Sequence, residues 1–227
     1  MHRGVPTALI LGDGLLGSEI ASQTGWNVAS RKLGNLDINN YSELCALISG
    51  YPTIINCIAN TDSYSANKQE HWDINYEFAA KLSDLCKLRG KKLVHISTEF
   101  VYANNTYPPS EEDLPLPDHN WYAYTKLLAD EYIKLTNDNF LICRELHKPR
   151  LLNYNNIWNV RTSGDTVDKI ATLIVKLVYK NATGVYNVGT GDKTLSEIFP
   201  DIPSINPPSG IPKDTRMNLN KLFKFLS

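Results

Sequence analysis

The chain has 227 residues, and its formal charge is nearly balanced at −1. That length suits one well-cored domain with a small lobe attached. The charge balance, without a basic run, gives nucleic acid no electrostatic foothold, and no apolar stretch approaches the ~18 residues of a membrane span. Cys45, Cys57, Cys86 and Cys143 are scattered and form no Cys-x-x-Cys pair. They fit the reduced thiols of a cytoplasmic protein better than a disulfide framework, and the N-terminus carries no signal-peptide pattern.

Ala8–Gly12 reads as a short apolar strand and Leu15–Thr24 as an apolar-periodic helix closed by Gly25. Where the two meet, Gly12-Asp13-Gly14-Leu15-Leu16-Gly17 is a G-x-G-x-x-G turn opening a helix. Such a turn combines tight reversal, close backbone approach to a pyrophosphate and a helix N-terminus facing the phosphates. It nominates these six residues for a dinucleotide. A second strand, Trp26–Ser30, runs into Arg31 and Lys32, where an NAD enzyme usually places an acid on the ribose. Ser30 with two cations suits a 2′-phosphate, so NADPH/NADP is expected, with NAD as the alternative; otherwise Arg31 and Lys32 form a solvated loop. Asp37, next to Ile38, either accepts from the adenine amino group or caps the following turn.

Ser42 reads as the cap of a helix through Ser49, ended by Gly50. Thr53–Ala59 is a continuous apolar run, as expected of a strand buried on both faces. A long helix over His71–Leu88 stops at Gly90. Strand Leu93–Ser97, helix Trp121–Leu135, strand Phe140–Arg144, helix Val167–Tyr179 and strand Val185–Val188 follow. The proline-rich stretches Pro108–Pro117 and Pro200–Pro212 read as loops. Alternating strands and helices predict βαβ units, and hence an α/β, Rossmann-type, doubly wound parallel sheet with ligands at its strand C-termini.

Tyr122 and Lys126 form a Tyr-x-x-x-Lys pair on the predicted helix, one turn apart on one face. A cation held near a phenol lowers its pKa, which makes a general acid able to protonate a carbonyl oxygen as hydride reaches the carbon. The spacing is weak alone, since Tyr64 and Lys68 repeat it.

Together these pieces resemble the extended short-chain dehydrogenase/reductase superfamily, and within it the dTDP-4-dehydrorhamnose reductase family. The resemblance is carried by Ile55-Asn56-Cys57-Ile58-Ala59-Asn60-Thr61, by Asp73-Ile74-Asn75, and by His95-Ile96-Ser97-Thr98-Glu99-Phe100-Val101-Tyr102. It continues through residues 122–131, Gly184-Val185-Tyr186-Asn187-Val188-Gly189 and residues 212–222. It implies that Thr98 hydrogen-bonds the substrate carbonyl, that Tyr122 donates the proton, and that Lys126 holds the nicotinamide ribose while lowering the Tyr122 pKa. Asn75 would orient a loop or water near the lysine; read alone, it is a helix residue with a core-facing amide. Cys57, Ile58 and Ala59 join the cofactor set, and Asn60, Thr98, Glu99, Phe100 and Arg144 the substrate set.

The resemblance implies reduction of a nucleotide-linked 4-keto-6-deoxy sugar by NADPH. Nucleotide-sugar dehydratases need an Asp-Glu pair after the threonine; here Glu99-Phe100 stands there, and phenylalanine has no proton to give a leaving hydroxyl. The alternatives are a nucleotide-sugar epimerase with retained NAD, or a catalytically silent NADP-binding subunit resembling the β subunit of methionine adenosyltransferase. Two departures stand out. The glycine turn is one residue shorter than the G-x-x-G-x-x-G of most extended members. The family's reductases are also larger, the deficit falling after Arg144. A core of about 1–144 and 160–190 with a reduced substrate lobe, about 145–159 and 191–227, is therefore expected. Arg144, His147, Lys148 and Arg150 form either a phosphate clamp or an exposed basic turn. No metal site is expected, and a homodimer is compatible with the sequence.

Overall fold

A computed structural model describes residues 7–63, 65 and 67–227. Tyr64, half of the second Tyr-x-x-x-Lys match, lies outside them. Strands β1 (Ala8–Leu11), β2 (Asn27–Ala29), β3 (Thr53–Asn56), β4 (Lys92–Thr98), β5 (Phe140–Glu145) and β6 (Gly184–Val188) form one sheet in the order β6-β5-β4-β3-β1-β2. Every pairing in it is parallel. The chain steps to one side of β1 for β2 and to the other for β3, so a switch point lies at the β1 C-terminus, where open α/β sheets bind ligands.

Strand side chains alternate between faces, and each face has its own apolar cluster. Ala8 and Ile10 pack with Ile55, Val94 and Leu141 beneath α1 (Leu15–Thr24) and α5 (Val167–Tyr179). Leu9 and Leu11 pack with Ile54, Leu93 and Ile142 beneath α2 (Tyr41–Ser49), the helical stretch α3 over 68–88, and α4 (Trp121–Thr136). The sheet is thus covered on both sides, as the near-continuous apolar strands require.

Local boundaries differ from the sequence expectation for identifiable reasons. The α2 cap is Asn40, whose side chain accepts from the Glu43 N–H at 3.2 Å; Ser42 lies inside the first turn. Strand β3 stops at Asn56, and 57–60 turn away. The long helix begins at Lys68, earlier than expected, because Asn67 caps it through the Glu70 N–H. It is α-helical at Lys68–His71, π-helical across Trp72–Glu77 and α-helical again over Phe78–Leu88.

Beyond β5 the chain makes short two-residue ladders that pair His147 with Asp165, Thr162 with Lys193, and Ile157 with Ser204. The C-terminal helix Asn220–Leu226 returns to the main body and buries Leu222 in the α1/α5 cluster. That helix is core, whereas the sequence reading placed it in the lobe. Among the described residues no helix is long and apolar enough to cross a membrane, and no His/Cys/Asp/Glu group is arranged for a metal ion.

Candidate active site

The glycine turn is closely packed. Gly12 has φ of 100°, a region that favours glycine. A Cβ there would stand 3.1 Å from the Ile58 side chain, and one at Gly17 would stand 2.1 Å from the Gly12 carbonyl oxygen. Gly14 caps α1 without a side-chain hydrogen bond to the first turn, leaving backbone N–H groups for an anion.

In front of the turn opens a cleft of about 980 Å³. It gathers Gly12, Asp13 and Gly14 from the turn, Ser30, Arg31, Asp37 and Ile38 after β2, and Cys57, Ile58 and Ala59 after β3. Of the other residues expected at the cofactor, Leu16 and Gly17 are buried beneath the turn and Leu15 is exposed; none of the three lines the cleft. Arg31 and Lys32 line the cleft exposed and make no ion pair among the described residues. Ser30 is committed to its own turn, its Oγ accepting from the Leu33 N–H at 3.1 Å. Asp37 takes the capping role, accepting from the Asn39 N–H at 2.9 Å at the cleft margin. The cleft is also lined by Asn67, Gln69, Glu70, Asp73 and Ile74, none of which the sequence reading assigned to it, although it quoted Asp73 and Ile74 among its family matches. The signal available for the last two was that same motif, Asp73-Ile74-Asn75.

Thr98 ends β4 and caps the short turn Glu99–Tyr102, its Oγ accepting from the Phe100 N–H at 3.2 Å. Tyr122 sits in the first turn of α4, which is capped by the Asn120 side chain on the Ala123 N–H at 2.8 Å. The Thr98 side chain lies close enough to the Tyr122 phenol to pull its pKa downward, so the two hydroxyls are neighbours. The Phe100 ring stands edge-on to the Tyr122 ring, 6.3 Å between centroids. The strand end and the helix start thus bring together the threonine and tyrosine expected to act on a carbonyl.

The third member is arranged differently from expectation. Lys126 is buried, with Nζ donating to the Ile96 carbonyl and lying 3.1 Å from His95 Nε2; no hydrogen bond joins it to the phenol. Burial lowers the Lys126 pKa to about 8 against the pull of Asp130 and Glu145. Tyr122 is pushed up: desolvation outweighs the downward pull of Thr98, and nearby carboxylates add to the rise. A phenol acidified by an adjacent cation is therefore absent from this geometry. The phenol is held protonated instead, the form a proton donor requires.

Asn75 faces inward from the π-helical turn. Its Oδ1 accepts from the Asn60 N–H at 2.8 Å and its Nδ2 donates to the Asn60 carbonyl at 3.0 Å, with Thr125 Oγ1 at 3.3 Å. It therefore orients the loop after β3 and fixes Asn60, rather than contacting the cleft. Two residues of the expected substrate set are engaged elsewhere. Glu99 is buried, accepts from the hydroxyls of Thr162 and Thr215, and is raised to about 8 by desolvation. Arg144 is buried against the Tyr102 ring, with Nε donating to Asp130 at 2.9 Å. The proposed clamp does not assemble, since Arg150 pairs with Glu19 and Asp168, and His147 with Glu145. The sequence reading quoted Asn56 and His95 among its family matches but gave them no role at the site; they are register partners on β3 and β4, and both are buried. Two polar residues within apolar strands were the available signal.

The sequence model of the RmlD substrate binding domain matches residues 7–146. No curated protein matches the chain by sequence. Among solved structures, the chain is similar to a dTDP-4-dehydrorhamnose reductase from Bacillus anthracis in complex with NADP, with TM-score 0.82, 22% identity, and coverage of 96% of this chain and 92% of that one. It is also similar to a hypothetical dTDP-4-dehydrorhamnose reductase from Sulfolobus tokodaii (TM-score 0.80, 22% identity, 97% and 95% coverage). A UDP-glucuronic acid 4-epimerase variant from Bacillus cereus, bound to a fluorinated UDP-sugar and NAD, matches with TM-score 0.78, 19% identity, and 97% and 92% coverage.

Proposed function

The chain belongs to the RmlD substrate binding domain family, and from that membership we propose that it is an NADPH-dependent reductase of a nucleotide-linked 4-keto-6-deoxy sugar. The observation that carries the reading is the neighbouring Thr98 and Tyr122 side chains at the end of β4, in a fold whose glycine turn accepts no Cβ at positions 12 and 17.

The cleft's residues fit a dinucleotide. Backbone N–H groups at Gly14 and the α1 start receive the pyrophosphate. Arg31, a cation at the cleft edge with no ion pair among the described residues, meets a 2′-phosphate through charge-assisted hydrogen bonds, and this favours NADPH over NADH. When bound, the cofactor supplies the hydride. Thr98 orients the substrate's keto oxygen, and Tyr122 hands that oxygen a proton from a phenol that burial keeps protonated. Phe100 and the enclosed Glu99 leave no free acid beside Thr98 for eliminating a hydroxyl, so reduction suits the site better than dehydration.

The test is NADPH oxidation against a panel of dTDP-, UDP- and GDP-linked 4-keto sugars. Tyr122→Phe is expected to lower turnover by ~10²-fold or more while leaving NADPH affinity within a few-fold. Unchanged turnover would remove Tyr122 from the chemistry.

A further inference from the structure

Behind the hydroxyl pair runs a buried chain of polar groups that the reduction does not by itself explain. Asn56 and His95 face each other across β3 and β4, and both are buried. The Asn56 amide is oriented by the backbone, because its Oδ1 accepts from the Ile58 N–H at 3.1 Å. Its Nδ2, which only donates, is therefore the atom 3.3 Å from His95 Nδ1. Nδ1 must accept, so the ring proton of neutral His95 sits on Nε2. That nitrogen lies 3.1 Å from Lys126 Nζ. An ammonium has donors only and would oppose the Nε2–H, whereas an amine offers it a lone pair and still donates to the Ile96 carbonyl.

We propose that His95 is a positioning residue for Lys126: locked by Asn56 as the Nε2–H tautomer, it donates to Nζ and favours the lysine amine over the ammonium.

Burial acts in the same direction on both groups, with His95 held well below its usual range. The groups that oppose it around Lys126 are Asp130 on its own helix, Glu145 at the end of β5 and the Cys57 thiol after β3. Asp130 is already engaged by Arg144 and Ser97. The inference concerns the resting site; its consequence for catalysis rests on the reductase reading.

The experiment is nuclear magnetic resonance on the full chain, free of cofactor, with nitrogen-15 histidine and side-chain-labelled lysine. Signals are assigned by their loss in His95→Gln and Lys126→Met. The expected result is that Lys126 loses its proton near pH 8, and that above this midpoint the His95 ring is protonated at Nε2 and bare at Nδ1. In Asn56→Asp the new carboxylate accepts from Nδ1–H, leaving Nε2 bare to accept from the ammonium. The tautomer should then reverse and the Lys126 midpoint rise by about one pH unit or more. A wild-type ring protonated at Nδ1 above pH 8, or a Lys126 ammonium persisting to pH 10, overturns the proposal even if the aspartate variant does not fold. Absence of keto-sugar reduction, with the histidine and lysine signals as expected, would instead strike only the reductase reading.

Discussion

A methyl group at position 17 would lie 2.1 Å from the Gly12 carbonyl oxygen, and that oxygen belongs to backbone which cannot yield as a flexible side chain would. Gly17→Ala should therefore displace the turn, lowering stability by ~1–3 kcal/mol and NADP affinity by about tenfold or more. Thermal denaturation with and without NADP reads both effects. The glycines at 12 and 17 follow from local sterics, whereas a Cβ at Gly14 would meet nothing within 4 Å, so this turn was legible from a short stretch of chain. Glu99 was not legible in the same way. Its partners Thr162 and Thr215 lie far along the chain, and only the fold brings them to the end of β4. Its raised pKa, about 8 against an ordinary 4.5, means that the folded state keeps a proton the unfolded chain has lost between those values. Stability must then fall as pH rises through that window. Glu99→Gln keeps the shape and removes the titration. The urea midpoint of the wild type should decline relative to the variant from pH 5 to 8, and parallel midpoints would show that Glu99 ionises normally.

The long helix ahead of β4 was readable as a helix, through its apolar periodicity and the glycine at its end, but its internal irregularity was not. The π-helical turn at Trp72–Glu77 is set by tertiary contacts: it aims the Asn75 amide at both polar atoms of the Asn60 peptide and at Thr125 on α4. Such turns recur at functional positions because the extra residue re-aims a side chain. The strands show the same division. Their apolar runs predicted sheet positions and double-sided burial, yet β3 ends at Asn56 because the next residues must leave the sheet to line the cleft. Asn75→Ala removes both hydrogen bonds to Asn60 and should cost ~1–3 kcal/mol. Because Cys57, Ile58 and Ala59 belong to the loop it anchors, amide exchange should accelerate across 57–62 while the strands stay protected. Uniform acceleration over the whole chain would reduce Asn75 to a general stabilising role.

At the scale of the whole molecule, alternation of strand side chains into two apolar clusters explains why the sheet carries helices on both faces, and this pattern was present in the sequence. The reach of the final segment was not, since seven helical residues have too short a period to reveal what they cover. Met217 and Leu219 pack with Val101 and Tyr102, just beyond the Thr98 strand end, and Leu222 enters the cluster beneath α1 and α5. The C-terminal segment therefore packs beside the end of the Thr98 strand while closing the core. Leu222 is fully buried, whereas its neighbour Phe223 is 47% exposed. Leu222→Ala should lower unfolding free energy by ~2–5 kcal/mol, the range for a buried leucine whose cavity only partly collapses. Phe223→Ala should change it by less than ~1 kcal/mol, as expected of a half-exposed side chain. Equilibrium urea unfolding of the two variants makes the comparison within one short helix. Equal losses would mean that helix propensity, rather than docking against the sheet, holds this segment in place.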